Sequence, residues 1–156
     1  ECGSSGLTGW PLVEYAQKLV ARQMEYSYTN SFDFPTVAFE KGRGSCWQQS
    51  KALYLILRKL GFWCHLVYAT KNAFQKSVHE GMDVPERISG HVWCRVAIDE
   101  IEKDVCPGSK YNLPGAIDFT PLSEIRRWNA LLAFICYFAS AYTNRVRYKE
   151  LKEANR

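Results

Sequence analysis

Leu12, Tyr15, Ala16 and Leu19 recur at helical spacing behind Pro11, a residue suited to a first helical turn, and predict an amphipathic helix over 11–25. The segment SYTNSFDFPT at 27–36 is rich in turn formers and aromatics and reads as a loop. A second helix is predicted from Cys46 to Leu60, with Leu53, Ile56, Leu57 and Leu60 as its buried stripe and Gly61 as its stop. The period then changes. FWCHLVYA at 62–69 reads as a strand, and HVWCRVAI at 91–98 alternates, with Val92, Cys94, Val96 and Ile98 on one face and His91, Trp93 and Arg95 on the other. The polar stretch 71–90, punctuated by Gly81, Pro85 and Gly90, is predicted as loop. Asp99-Glu100 can turn the chain so that 102–106 returns as a third strand. Residues 107–116, with Pro107, Gly108, Pro114 and Gly115, are loop, and 121–154 read as helical with a break near Ser140–Asn144. The pattern predicts an α+β fold with an antiparallel sheet and helices at both ends. It also predicts one domain over 10–156 behind a flexible lead-in at 1–9.

Composition narrows the classes. A chain of 156 residues with 47% hydrophobic and 23% charged positions can bury a real core and is not disordered. The net charge of +4 is spread along the chain, with only short basic pairs such as Arg126-Arg127, so no nucleic-acid partner is expected. The cysteines at 2, 46, 64, 94, 106 and 136 contain no C-x-x-C pair, no acidic cluster suggests calcium, and no phosphate-cradling glycine loop is present. No metal or cofactor is therefore expected. No signal-peptide pattern is visible and a domain of this size needs no disulfides, so reduced thiols in a cytoplasmic protein are the expectation. The uncharged stretch 128–144 approaches the length of a membrane span, yet Asn129, Ser140, Thr143 and Asn144 interrupt it. A buried C-terminal helix is expected there, with membrane contact by 128–144 as the alternative.

Cys46 is the first candidate for chemistry. It follows Gly-Arg-Gly-Ser and opens a helix, where unpaired N–H groups and the helix dipole stabilise a thiolate. A thiol nucleophile needs a base, and His91 at the start of a strand, on the face shared with Trp93, is the candidate. His65 and His79 are weaker. A third group should orient the imidazole. With a turn near 98–99, Asp104 falls opposite Trp93 and Cys106 opposite His91, and both lie on the His91 face by parity. A shift of register or a bulge moves Asp104 toward His91. Asp104 is preferred, and Asp118 in AIDFTP is its rival. Trp47, Gln48 and Gln49 could touch substrate or pack beneath the site, and Tyr26, Tyr28, Phe32 and Phe34 could line a groove.

GSCWQQSKAL resembles the Gly-x-Cys-Trp helix start of transglutaminases and papain-like enzymes, and GHVWCRV resembles the His-x-Trp strand of transglutaminase-like proteins. The resemblance spans about residues 36–121. It implies a papain-like core in which the nucleophile helix packs on an antiparallel sheet, with further helices at both termini. It implies a Cys46, His91, Asp104 triad acting through an acyl-enzyme on amide bonds of peptides or proteins, as hydrolase or acyltransferase. The alternative within the same family is a binding module without catalysis. The chain departs from the usual Asp-Pro-Thr ending of bacterial relatives, offering Asp104-Val105-Cys106-Pro107 and Asp118-Phe119-Thr120-Pro121 instead. An ungapped hairpin comparison sets Cys106 near the usual aspartate position.

Overall fold

The computed structural model describes residues 1–79 and 81–155, apart from the side chains at 130, 132, 133, 136, 137 and 140. Helix α1 (Gly9–Gln23) is followed by a short strand β1 (Glu25–Tyr26), helix α2 (Pro35–Glu40), strand β2 (Arg43–Gly44) and helix α3 (Cys46–Lys59). Strands β3 (Trp63–Phe74), β4 (Ser77–His79), β5 (Met82–Val84), β6 (Arg87–Ile98) and β7 (Ile101–Val105) come next, then β8 (Phe119–Pro121), β9 (Arg126–Arg127) and helix α4 (Ala130–Ala154). The main sheet runs β7-β6-β3, with β8 and β9 on the far edge of β3, and is antiparallel throughout. The mixed α+β expectation holds.

The period-2 alternation of β6 divides the core in two. Val92, Cys94 and Val96 join Cys64, Leu66, Tyr68 and Val105 against α1 and α3, which contribute Val13, Ala16, Val20, Leu53 and Leu57. Trp93 faces the other way, with Val67, Ala69, Cys106 and Phe119. A 3₁₀ turn at Cys2–Ser4 brings Cys2 into the first of these clusters.

Helix α3 is set by its first turn. Ser45 is the N-cap, and the buried Gln48 side chain reaches back to accept from the Ser45 N–H at 2.7 Å, half of a capping box. The same amide donates to the carbonyls of Asn30 (2.9 Å) and Asp33 (2.7 Å), so it also pins the loop before α2. Gln48 thus caps the helix and ties down a loop, rather than meeting a substrate. Farther along α3, Ser50 Oγ donates to the Val92 carbonyl at 2.8 Å and Cys94 Sγ donates to the Ser50 carbonyl at 3.2 Å. These bonds fix α3 on β6 beside His91. Gly61, at φ 89°, ends the helix in the left-handed region.

Four expectations change. The stretch 71–90 is largely strand: β3 and β6 both extend into it, and β4 and β5 form a hairpin. Its polar composition hid this because side chains facing a cavity need not be apolar. Pro35–Glu40 is a helix started by Pro35 at its first position, and it takes the last two residues of the stretch 27–36 that reads as loop. The C-terminal segment is one continuous helix from Ala130, with no break at 140–144. Thr143 Oγ1 donates back to the Ala139 carbonyl at 2.9 Å, and Asn144 Nδ2 donates to Ser31 Oγ at 3.2 Å, so the polar residues are accommodated without interrupting it. That helix is also not a buried one. Ala141, Asn144 and Leu151 face the protein, whereas Leu131, Phe134, Ile135, Phe138 and Tyr142 are exposed. No helix among the described residues is long and apolar enough to cross a membrane.

Gly44 has no room for a side chain: an added Cβ would lie 2.7 Å from Met24 Cε and 3.0 Å from Gln48 Cβ. Gly44→Ala is therefore expected to cost about 1–3 kcal/mol by overpacking, read as a lower midpoint in thermal denaturation; an unchanged midpoint would contradict this packing. Ser50→Ala removes the bond to Val92 and is expected to cost about 1 kcal/mol, measured by urea denaturation.

Candidate active site

The β3–β6 ladder pairs Ala69 with His91 and then Asn72 with Ser89, so β3 carries a bulge opposite Gly90. Such bulges bend a strand and re-aim its neighbours. Here the buried Asn72 amide holds the bulge, donating to the carbonyls of Ala69 (3.0 Å) and Ser89 (3.1 Å). His91 emerges beside it into an aromatic surround. Its ring lies 4.6 Å from that of Phe119 and 5.2 Å from that of Phe74, both edge to face, and is stacked 6.0 Å from that of Trp93.

Cys46 is the first residue of α3 and is half-buried. The backbone N–H groups of Val92, Trp47 and Cys46 itself act on its sulfur, which sets the thiol against the strand residue next to His91. Cys46 and His91 line one cavity of about 1230 Å³. Trp47, Gln49, Tyr26, His79, Arg87 and Cys106 share its wall. Of the other aromatic candidates, Tyr28 is buried in a small cluster with Val84 and Leu151, while Phe32 and Phe34 are exposed.

The two aspartates are engaged elsewhere. Asp99, at φ 53°, and Glu100 form a tight turn that pairs Ile98 with Ile101. Asp104 consequently lies opposite Arg95 rather than Trp93, two residues away from the register of a turn near 98–99. Its carboxylate takes a two-pronged ion pair from Arg95, with Nε at 2.8 Å and Nη2 at 3.1 Å. Asp104 does not line the cavity. Asp118 does, but it binds Asn112: Asn112 Nδ2 donates to its carboxylate at 2.9 Å and its own N–H donates to Asn112 Oδ1 at 3.0 Å. The group in contact with the imidazole is Cys106, whose Sγ lies 3.2 Å from His91 Nε2. The Cys106 carbonyl is held by Gln17 Nε2 and Asn112 Nδ2, both at 3.1 Å, and the Gly108 N–H meets its sulfur at 3.4 Å. Two sequence clues point to this contact: the hairpin register with a turn near 98–99, which sets Cys106 opposite His91, and the ungapped hairpin comparison.

Burial governs the titrations. It pushes the Cys46 thiol up from its ordinary value, against the helix-start amides and the positive charge of Arg87, which pull it down. The thiolate anticipated from helix position alone is thus outweighed by desolvation. Burial and then Arg87 lower His91 to about 3, so its imidazole is neutral at pH 7. Cys106 is raised, by burial first and also by the charge of Asp118, and stays a neutral thiol. His79, lowered to about 4 by burial and Arg87, is neutral too. The resting site is therefore a neutral thiol and a neutral imidazole on the wall of one cavity. Among the described residues no group of His, Cys, Asp and Glu is arranged to hold a metal ion.

The family model of the transglutaminase-like superfamily matches residues 12–104, a stretch that holds α1, α3 with Cys46, and β6 with His91. No curated protein matches the chain. The match covers more than half of the sequence and coincides with the helix-on-sheet unit that carries both cavity residues, and on that basis the chain belongs to the transglutaminase-like superfamily.

Proposed function

We propose that the chain is a thiol-dependent enzyme acting on amide bonds of peptides or proteins, with Cys46 as nucleophile and His91 as base. The observation that carries this reading is the meeting of a helix-start cysteine and a strand histidine on one cavity, inside the region matched by the family. As Cys46 Sγ attacks the substrate carbonyl, its proton passes to His91, because neither group is charged beforehand. The oxyanion so formed is positioned to receive an N–H from the first turn of α3, whose amides have no partner within the helix. The imidazolium then protonates the leaving amine, and water or a second amine releases the acyl group as hydrolysis or transfer. A peptide fits the cavity volume, and hydrolysis is the preferred outcome, since no separate amine-binding site is identified.

Cys106 takes the orienting position in this scheme. A carboxylate there would accept from Nε2–H, fix the tautomer with a free Nδ1 and stabilise the imidazolium. A thiol is a weak acceptor and carries no charge, so it does these things poorly. Asp104, committed to Arg95, takes no step.

Alkylation of Cys46 by iodoacetamide, followed residue by residue by mass spectrometry, is expected to climb with pH beyond 9 instead of levelling near neutrality, because burial raises the thiol. His91→Ala is expected to slow it at pH 7 by roughly tenfold or more; equal rates in parent and variant would sink the assignment of His91. Faster alkylation of Cys106 than of Cys46 would move the nucleophile to Cys106. Cys106→Asp is expected to raise His91 by roughly 1–3 pKa units and to speed Cys46 alkylation at pH 7 about tenfold. The carboxylate favours imidazolium, so the imidazole signal in NMR should begin to titrate well above pH 3. Cys106→Asn, which orients without charge, should give a smaller gain; no gain from either variant would remove Cys106 from the orienting role.

A further inference from the structure

Arg87 begins β6, pairs directly with Phe74 across the ladder, and lies on the same strand face as His91. Its guanidinium sits over the Phe74 ring, 4.8 Å from the centroid, and the same ring packs edge to face on the His91 imidazole at 5.2 Å. Arg87 Nη1 is buried without a hydrogen-bond partner. Arg147, on the inner side of α4, lines the same cavity, and both guanidinium charges act on the Tyr26 hydroxyl. The ion pairs among the described residues are Lys18–Glu14, Lys41–Asp33, Arg95–Asp104 and Arg126–Glu124, so neither of these arginines is neutralised by one. Of the carboxylates on the cavity wall, Asp118 is bound to Asn112, and Glu25 is exposed on its short strand. Lys76 and Lys110 add positive charge to the same wall.

A buried guanidinium donor with no acceptor is costly unless a ligand supplies one. The fork of arginine matches a carboxylate with two parallel bonds. Resting on the reading of Cys46 as nucleophile, we propose that this cavity selects acyl donors bearing a carboxylate near the scissile amide, with Arg87 as the anion clamp and Arg147 as its second cation. Arg87 and His91 contact the same Phe74 ring, and both line the cavity with Cys46, which puts the clamp on the wall that carries the reacting groups. The carboxylate comes either from an acidic side chain or from a chain terminus, and the probes below separate the two.

The Cys46→Ala protein isolates binding from turnover. It would be titrated calorimetrically with acetyl-Gly-Gln-Gly as the free acid, with the same peptide as its C-terminal amide, and with acetyl-Gly-Gln-Glu-amide. At least one charged peptide is expected to bind tenfold or more tightly than the neutral amide; the one that does identifies the source of the carboxylate. Adding Arg87→Gln should bring it to the level of the amide, and Arg87→Lys should retain part of the preference, which a folding defect would not. Equal affinities for the three peptides, or no binding of any, overturn the proposal. In the parent protein, the ratio of Cys46 alkylation by iodoacetate to that by iodoacetamide should fall at least fivefold on Arg87→Gln; an unchanged ratio likewise overturns it. Loss of iodoacetamide reactivity in His91→Ala reports on the nucleophile reading alone, so the two can fail separately.

Discussion

The hydrogen bonds between the middle of α3 and strand β6 are the constraint on which the rest of the site depends. Ser50 Oγ on the Val92 carbonyl and Cys94 Sγ on the Ser50 carbonyl tie a helix to a strand one residue past His91. Four residues upstream on that helix is Cys46, so the position of its sulfur follows from the same clamp. The first turn cannot drift, because Gln48 closes it against Ser45 and Gly44 lets Met24 and Gln48 pack where a side chain would stand. Cys46 and His91 therefore sit on separate elements whose mutual placement is decided by buried polar bonds rather than by apolar contact, which is less directional.

The electrostatics of the cavity suit the proposed proton transfer concurrent with attack. Desolvation holds Cys46 and His91 in their neutral forms, and the aromatic surround of Phe74, Trp93 and Phe119 sustains it. The usual counterweight, a carboxylate on the imidazole, is replaced by the Cys106 thiol, while the nearest aspartate of the hairpin is spent on Arg95. Among the described residues, neither Arg87 nor Arg147 is in an ion pair, and Arg87 Nη1 is buried without a hydrogen-bond partner.

The long apolar helix α4 stands apart from this logic. It contributes Ala139, Thr143, Asn144 and Arg147 to the cavity wall, yet leaves Leu131, Phe134, Ile135, Phe138 and Tyr142 on the surface. Its apolar residues surround the helix instead of forming one stripe, so periodicity could not say which side would be covered.

Local pattern was enough for the elements that bury one face. The 3.6 spacing of Leu12, Ala16 and Leu19 and the stripe Leu53, Ile56, Leu57 and Leu60 reflect a single covered side, the alternation from Val92 to Ile98 marks the face of β6 turned to the helices, and helices α1 and α3 and strand β6 follow from them. The Cys46 helix start and the His91 strand were legible for the same reason, as was the membership of the family they resemble. The extensions of β3 and β6 into 71–90 were not, because strands bordering a cavity carry polar residues such as Asn72, Ser89 and Arg87 and lose their alternation. Nor was the partner of His91. Parity alone placed Asp104 and Cys106 on the correct face, but a two-residue difference in register, decided by the left-handed Asp99 turn, set Asp104 against Arg95, while Cys106, just past the end of β7, makes the contact with His91. The sequence by itself determined helices α1 and α3 and the paired stretch of β6 with the faces they turn to the core, because those depend on neighbours a few residues apart. The tertiary structure alone decided which side chain meets the imidazole, how far burial shifts the thiol, and which cations go unpaired, because those depend on groups brought together from distant parts of the chain.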